Sequence, residues 1–268
     1  MPQALTFRLY APLASFGEVA VGEQRPSADH PGKGLVLGLV AAALGIRRSD
    51  EAALEALHAG YGLAVLQLAP GTLLRDYHTA QTVSASDLKK AARATRRDEL
   101  RAVPRADLHT ILSERDYRQD AQHVVALWVR AAAPFTLDQI AMALREPVFG
   151  LYLGRRSCPL ALPLLPQVFE AASLQQAFAQ EQATAAAHWA DVAGDHWASN
   201  RQRQVLRERL DGSAGGWLFW EDGFDSGLDG TPDTYLRHDA PLHRERWQFA
   251  ARREYRLAWP AAQVGDAA

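Results

Sequence analysis

Thirteen consecutive residues, GLVLGLVAAALGI at positions 34–46, carry no polar side chain. A helix that is apolar all round cannot turn any side to water, so the rest of the chain has to cover it. The run is too short for a bilayer, which takes about 20 apolar residues. It reads as a buried helix ended at Gly45, with Gly34 and Gly38 leaving room for a close neighbour. A chain of 268 residues can supply that cover.

The segments around this helix show what the cover is made of. In LTFRLYA (5–11), Leu5, Phe7 and Leu9 face one way and Thr6, Arg8 and Tyr10 the other, as in a half-buried first strand. The Gly/Pro-rich stretch from Pro12 to Gly34 reads as loop. SDEAALEAL (49–57) reads as a second helix with Ser49 as its cap, and GLAVLQLA (62–69) as a strand. Residues 74–120 are mostly polar, with little apolar periodicity. The pattern then resumes: QHVVALWVR (122–130) as a β-branched strand, TLDQIAMALRE (136–146) as an amphipathic helix capped by Thr136, and PVFGLYLG (147–154) as a short strand. Strand, helix, strand, insertion, strand, helix, strand predicts an α+β chain. Its expected core is a ferredoxin-like or RRM-like sheet with helices on one face, over residues 1–170. Residues 171–268 form a smaller β-rich part that either completes the sheet or makes a small subdomain. It holds a partly helical stretch at 173–193, a Trp/Phe strand near WLFW (217–220), and a returning strand in RWQFAARREYRLAW (246–259).

Net charge is −2, which argues against a general nucleic-acid binder, but the charge is unevenly placed. Between positions 89 and 105 stand Lys89, Lys90, Arg93, Arg96, Arg97, Arg101 and Arg105 against only Asp98 and Glu99. That segment is +5 and leaves −7 on the remainder. A basic arm of this kind is either a solvated face or a grip on a phosphate backbone. A second basic group, Arg244, Arg246, Arg252, Arg253 and Arg256, is offset by Glu245 and Glu254 and reads as mainly structural. The segment GLYLGRRSCPL (150–160) poses the same choice for Arg155 and Arg156: a solvated loop or an anion grip.

Other chemistry is harder to find. One cysteine, Cys158, allows neither an intrachain disulfide nor a multi-cysteine zinc site, which fits a reducing cytoplasm. The opening MPQALTFRLY lacks the basic-then-apolar pattern of a signal peptide, and no membrane association is expected. PGKG (31–34) lacks the spacing of a phosphate loop, though Lys33 at a helix start could meet a phosphate. His188 and His196 lack metal-ligand spacing, and Asp222, Asp225 and Asp229 lack the pattern of an EF-hand. No metal or other cofactor is expected. For acid–base work the best candidate is His78 beside Tyr77, with packing against a sheet an equal alternative.

RLYAPLASFGE, RPSADHPGKGLVLGLVAAALGI, LRDYHT, VALWV and YLGRRSCPL occur in the order seen in CasD-type RAMP subunits of type I-E CRISPR Cascade. From residue 5 to about 170 the chain resembles that family. The resemblance implies a non-catalytic subunit of an RNA-guided surveillance complex for antiviral DNA targeting. Such a subunit binds and caps the 5′ handle of crRNA, anchors neighbouring backbone RAMP subunits and the large subunit, and meets target DNA only through the complex. It implies an inserted basic thumb at about 80–119. It also implies RNA contacts from Lys33, Arg75, Tyr77, His78, Lys89, Lys90, Arg93, Arg96, Arg97, Arg101, Tyr152, Gly154, Arg155, Arg156 and Ser157. Gly154 would let the backbone approach the RNA, the two arginines would bind phosphates bidentately, and Tyr152 would offer a face to a splayed base. Two departures stand out. Phe16 replaces a common tryptophan, and Gly32 and Gly34 replace hydroxyl residues beside Lys33, leaving only backbone amides for a phosphate there. Relatives in other CRISPR subtypes are metal-independent endoribonucleases that process precursor crRNA. In that alternative Tyr77 and His78 would be acid and base, with Lys89 or Lys90 on the transition-state charge.

Overall fold

The computed structural model describes the chain except residues 19, 21, 91–94, 131, 193–214, 244–247 and 262–268, with backbone alone at 88–90, 189–192, 241–243 and 248. In chain order the elements are β1 (Gln3–Tyr10), β2 (Leu13–Ala14), β3 (Gln24–Arg25), α1 (Lys33–Ala43), α2 (Glu51–Gly60), β4 (Tyr61–Ala69), β5 (Thr72–Thr82), α3 (Ala85–Lys90), α4 (Arg96–Arg101), β6 (His109–Gln119), β7 (Gln122–Val129), α5 (Leu137–Arg145), β8 (Gln167–Glu170), α6 (Leu174–Val192), β9 (Gly216–Trp220), β10 (Asp233–His243) and β11 (Gln248–Trp259). Among these, no helix is long and apolar enough to cross a membrane.

The main sheet has the order β10-β11-β9-β4-β7-β1-β8, antiparallel throughout. Leu5, Leu127 and Leu63 lie in register across its centre. One face packs Leu5, Phe7, Leu9, Leu63, Val65, Val125 and Leu127 against Val36, Leu37 and Val40 of α1, Leu54 and Leu57 of α2, and Ile140 and Leu144 of α5. The apolar run of α1 is buried here as expected. Helix α5 starts with the anticipated Thr136 cap, as a capping box with Gln139.

The structure departs from the sequence pattern in four places. Helices cover both faces, not one. Ala64, Leu66, Val124 and Ala126 point away from α1 and pack on Leu174 and Phe178 of α6 and on Trp220 and Trp259. Strand β1 is therefore buried on both sides. Its Arg8 is neutralised by Glu181 of α6, at 2.6 and 3.2 Å. Second, 147–154 is not a strand: the Val148 and Phe149 amides donate to the Ala43 and Ala42 carbonyls, closing the end of α1. Pro147 and Gly150 disfavour a ladder there, and the edge strand comes later as β8. Third, α2 is capped by Asp50, which accepts from the Ala53 amide, and not by Ser49. Fourth, the polar stretch is a regular hairpin, β5 paired with β6 from Thr72↔Gln119 to Thr82↔His109. It shows no apolar alternation because almost all of β5 is exposed. Its tip carries α3, α4 and a single 3-10 turn at Arg105–Asp107.

Strands β9, β11 and β10 extend the main sheet beyond β4. A buried ion network ties them to α1. Lys33 Nζ lies 3.0 Å from Glu221 Oε2. Arg252 grips Asp239 at 2.6 and 2.9 Å and reaches Glu254 at 2.6 Å. Glu254 also lies 3.0 Å from Nε2 of His30, whose ring stacks on Phe219. The Lys33 amide donates to Asp239 Oδ2 at 2.9 Å, so an internal carboxylate occupies the positive start of α1. Gly32 and Gly34 admit it: a Cβ on Gly32 would meet Asp239 Oδ2 at 2.5 Å. Nothing lies within 4 Å of a Cβ on Gly38, so the close neighbour expected there is absent among the described residues.

Two predictions follow from the buried charges. Glu181→Ala strands Arg8 in the interior and should cost about 3–5 kcal/mol by urea unfolding, whereas Arg8→Met with Glu181→Leu should recover most of it. Burial first, and then the neighbouring His30, depresses the pKa of His123 to about 3. The unfolded chain then binds a proton that the folded chain refuses, so stability should fall as pH drops from about 6.5 toward 3. Burial raises the pKa of Glu254, but His30, Arg237 and Arg252 overcome this and hold it at about 2. Its contribution is complete above about pH 4.5 and is lost as pH falls through about 2. Unfolding midpoints measured between pH 8 and 3 should therefore decline well before carboxylates titrate, and His123→Gln should delay that decline.

Candidate nucleic-acid interface

The turn at 152–159 is built by short-range bonds. Tyr152 bridges Pro159, the Leu153 amide donates to the Cys158 carbonyl, and the Cys158 amide donates to the Arg155 carbonyl. The Ser15 amide donates to the Leu153 carbonyl, which moors the turn to the chain leaving β2. Gly154 has φ +84°, and a Cβ there would lie 1.8 Å from the Ser15 carbonyl oxygen. The close approach this glycine permits within the fold is to the Ser15 carbonyl, while its backbone stays exposed.

The arginine pair splits. Arg155 is half-buried: it donates to the carbonyls of Asp116 and Arg25, both at 3.2 Å, and lies 4.5 Å over the Tyr117 ring. Arg156 is exposed, as are Tyr152, Gly154 and Ser157. One guanidinium thus anchors the turn to the hairpin base, and its neighbour is held facing water.

On the hairpin itself, Arg75 grips Asp116 at 2.8 and 3.2 Å, with Glu114 at 3.8 Å. The hydrogen bond from Arg75 holds the Asp116 carboxyl below its usual range against the opposing effect of burial, and the charges of Arg75, Arg118 and Arg155 add to it. Three guanidiniums around one carboxylate leave a positive surplus. Arg118 is fixed by the Ala28 and Ser27 carbonyls, and Arg25 is brought alongside by the parallel pairing of β3 with β6. Arg25, Arg115 and Arg118 are scattered in sequence and form no run. Only the pairing of the Pro12–Gly34 loop with β6 reveals them as neighbours of the turn. Tyr77 is 59% exposed. His78 Nε2 lies 2.6 Å from Asp76 Oδ2. Tyr77 and His78 are adjacent on β5 and point to opposite faces.

At the tip, Arg97, Arg101 and Arg105 are exposed, while Arg96 bonds Glu99 at 2.9 Å and the Gln81 carbonyl at 2.8 Å. The Lys89 and Lys90 side chains, together with Arg93, His196, Arg244, Glu245 and Arg246, lie outside the described residues. Lys33 is a correction. It is buried, with its ammonium on Glu221 and its amide on Asp239, so neither group faces outward to meet a phosphate. The reason is electrostatic: both positive features of the helix start are already neutralised from within.

The model of the Cas5 family of CRISPR-associated proteins matches residues 4–255. The Cascade subunit CasD of Escherichia coli (strain K12) is 32% identical over 185 residues, which cover 66% of this chain and 76% of that protein. A solved structure titled as a CRISPR RNA-guided surveillance complex is 21% identical with a TM-score of 0.56, covering 96% of this chain and 90% of the matched one.

The two arginines should separate by mutation. Arg155→Ala removes two hydrogen bonds and a ring contact and should cost about 1–2 kcal/mol in chemical denaturation. Arg156→Ala should stay within about 0.5 kcal/mol of the parent.

Proposed function

The chain belongs to the Cas5 family of CRISPR-associated proteins, and from that premise we propose that it is a non-catalytic Cascade subunit that holds the 5′ handle of crRNA. The observation that carries this is the base of the β5–β6 hairpin. There Arg156 stands exposed beside an anchored Arg155, amid Arg25, Arg75, Arg115 and Arg118. Exposed guanidiniums give planar, bidentate bonds to phosphates. Exposed Tyr77 and Tyr152 offer ring faces on which unpaired bases stack. The strand order β4-β7-β1-β8, with α1, α2 and α5 on one side, supports a ferredoxin-like core of the RAMP kind. On this reading the hairpin and its basic tip are the thumb, which folds over the RNA. The other partners are the backbone RAMP subunits and the large subunit, with target DNA reached through the complex.

The endoribonuclease alternative is weaker. An acid and a base must reach one scissile phosphate, yet Tyr77 and His78 project from opposite faces of a strand.

Handle-oligonucleotide binding by the purified chain should weaken steeply with salt, and Arg156→Ala should reduce it about tenfold, the worth of one charge-assisted hydrogen bond. A flat salt response would refute RNA binding. Deleting residues 86–106 should leave the main sheet folded but impair assembly of the complex on native gels. In EDTA, site-specific cleavage of precursor repeat RNA that disappears in His78→Ala would establish the nuclease instead.

A further inference from the structure

Trp128, Trp220 and Trp259 are buried, but Trp217 is 40% exposed, and Tyr235 on the edge strand β10 is 43% exposed. One guanidinium joins these two rings: Arg256 Cζ lies 4.4 Å from the Trp217 centroid and 5.0 Å from that of Tyr235. Asp233 holds Arg256 at 2.7 Å. The register of Arg256 with Phe219 and Asp233 puts the cluster on one face of β9, β11 and β10, the side that α1 covers further along. Arg256 and Asp233 cancel each other's charge, so what the cluster turns to water is mainly ring surface. Lone exposed rings are ordinary, whereas two rings tied together by a fixed cation make a built surface.

This surface adjoins the hairpin base. Trp217 is in register with Gln67, near the end of β4 that leads into the hairpin. Gln67 Nε2 donates to the Asp29 carbonyl at 3.0 Å. Just before Asp29, the Ala28 and Ser27 carbonyls accept from Arg118, and the Arg25 carbonyl accepts from Arg155. Residues 25–29, at most about 15 Å from end to end, thus run from the arginine turn to the strand beside Trp217. The one carboxylate on this stretch, that of Asp29, lies 2.7 Å from His30 Nδ1.

We propose that Trp217 and Tyr235, held by Arg256, form a stacking platform for unpaired bases of single-stranded RNA. The inference rests on the RNA-binding reading above and carries the RNA path from the hairpin base onto the C-terminal strands. The two surfaces divide the work: the hairpin base meets phosphates through charge, and the platform meets bases through ring area. Rings already held in place lose little freedom when a base stacks on them.

Binding of a crRNA-handle oligoribonucleotide by the full chain, compared with the same strand made abasic throughout, tests this. Trp217→Ala should weaken the intact strand about tenfold and leave the abasic strand unchanged. Trp217→Phe should restore most of the loss, and Trp217→Leu, which keeps bulk without a ring, should not. Tyr235→Ala should act in the same direction, and it keeps the test decisive if Trp217→Ala fails to fold. The salt dependence of the Trp217 variants should match that of the parent, whereas Arg156→Ala makes it shallower. Equal losses on the intact and abasic strands, or no loss on either, overturn the platform, and weakening by Arg156→Ala in the same series leaves the hairpin-base reading standing. Trp217→Ala protein that binds RNA like the parent but drops out of the assembled complex assigns the face to a protein partner and also overturns the proposal. If the parent binds neither strand, the hairpin-base reading falls and the platform with it.

Discussion

The internal neutralisation of the start of α1 organises much of the rest. An apolar helix buried against a sheet still presents unpaired amides at its first turn, and here Lys33 adds a charge in the same place. Asp239, within β10, and Glu221, directly after β9, supply the missing anions. Arg252 and Arg237 meet their charges in turn, and Glu254 and His30 complete the network. Once formed, the network fixes β10 and β11 relative to α1, which in turn extends the main sheet past β4. Strands β9, β10 and β11 are therefore part of the same sheet and not an appendage.

Much of this fold could be read from residue patterns, and the parts that could not share one cause. α5 has strong apolar periodicity, α1, β4 and β7 are near-continuous apolar runs, and all four lie where these patterns put them. β1 looked half-buried because Arg8 and Thr6 share a face, yet Glu181 lies more than 170 positions away and turns that face into an interior one. The strand expected at 147–154 failed because its amides serve the end of α1, a requirement invisible to local alternation. β5 was opaque for the opposite reason. A strand exposed along almost its whole length has no apolar stripe to read.

The interface was legible only in outline. GRR announced a turn with exposed cations, and the turn is there, but two adjacent arginines in one motif turned out to do different work. Arg155 meets carbonyls supplied by β6 and by Arg25, neither of which is near it in sequence. Gly154 answers to Ser15. Lys33 was misread because Glu221 and Asp239 come from a region that carries no recognisable motif. In each case a long-range partner chose the role of a locally obvious residue.

The hairpin joins the sheet through very short connections. Only Pro70 and Gly71 separate β4 from β5, and only Asp120 and Ala121 separate β6 from β7. Gly71 takes φ +71° and Asp120 φ 55°, and the Tyr10 hydroxyl donates to Asp120 at 3.0 Å. The ribbon is thus a cantilever whose two rails run on as the middle strands of the molecule. A load applied at its outer end is carried into the best-packed part of the protein instead of being absorbed by a slack tether.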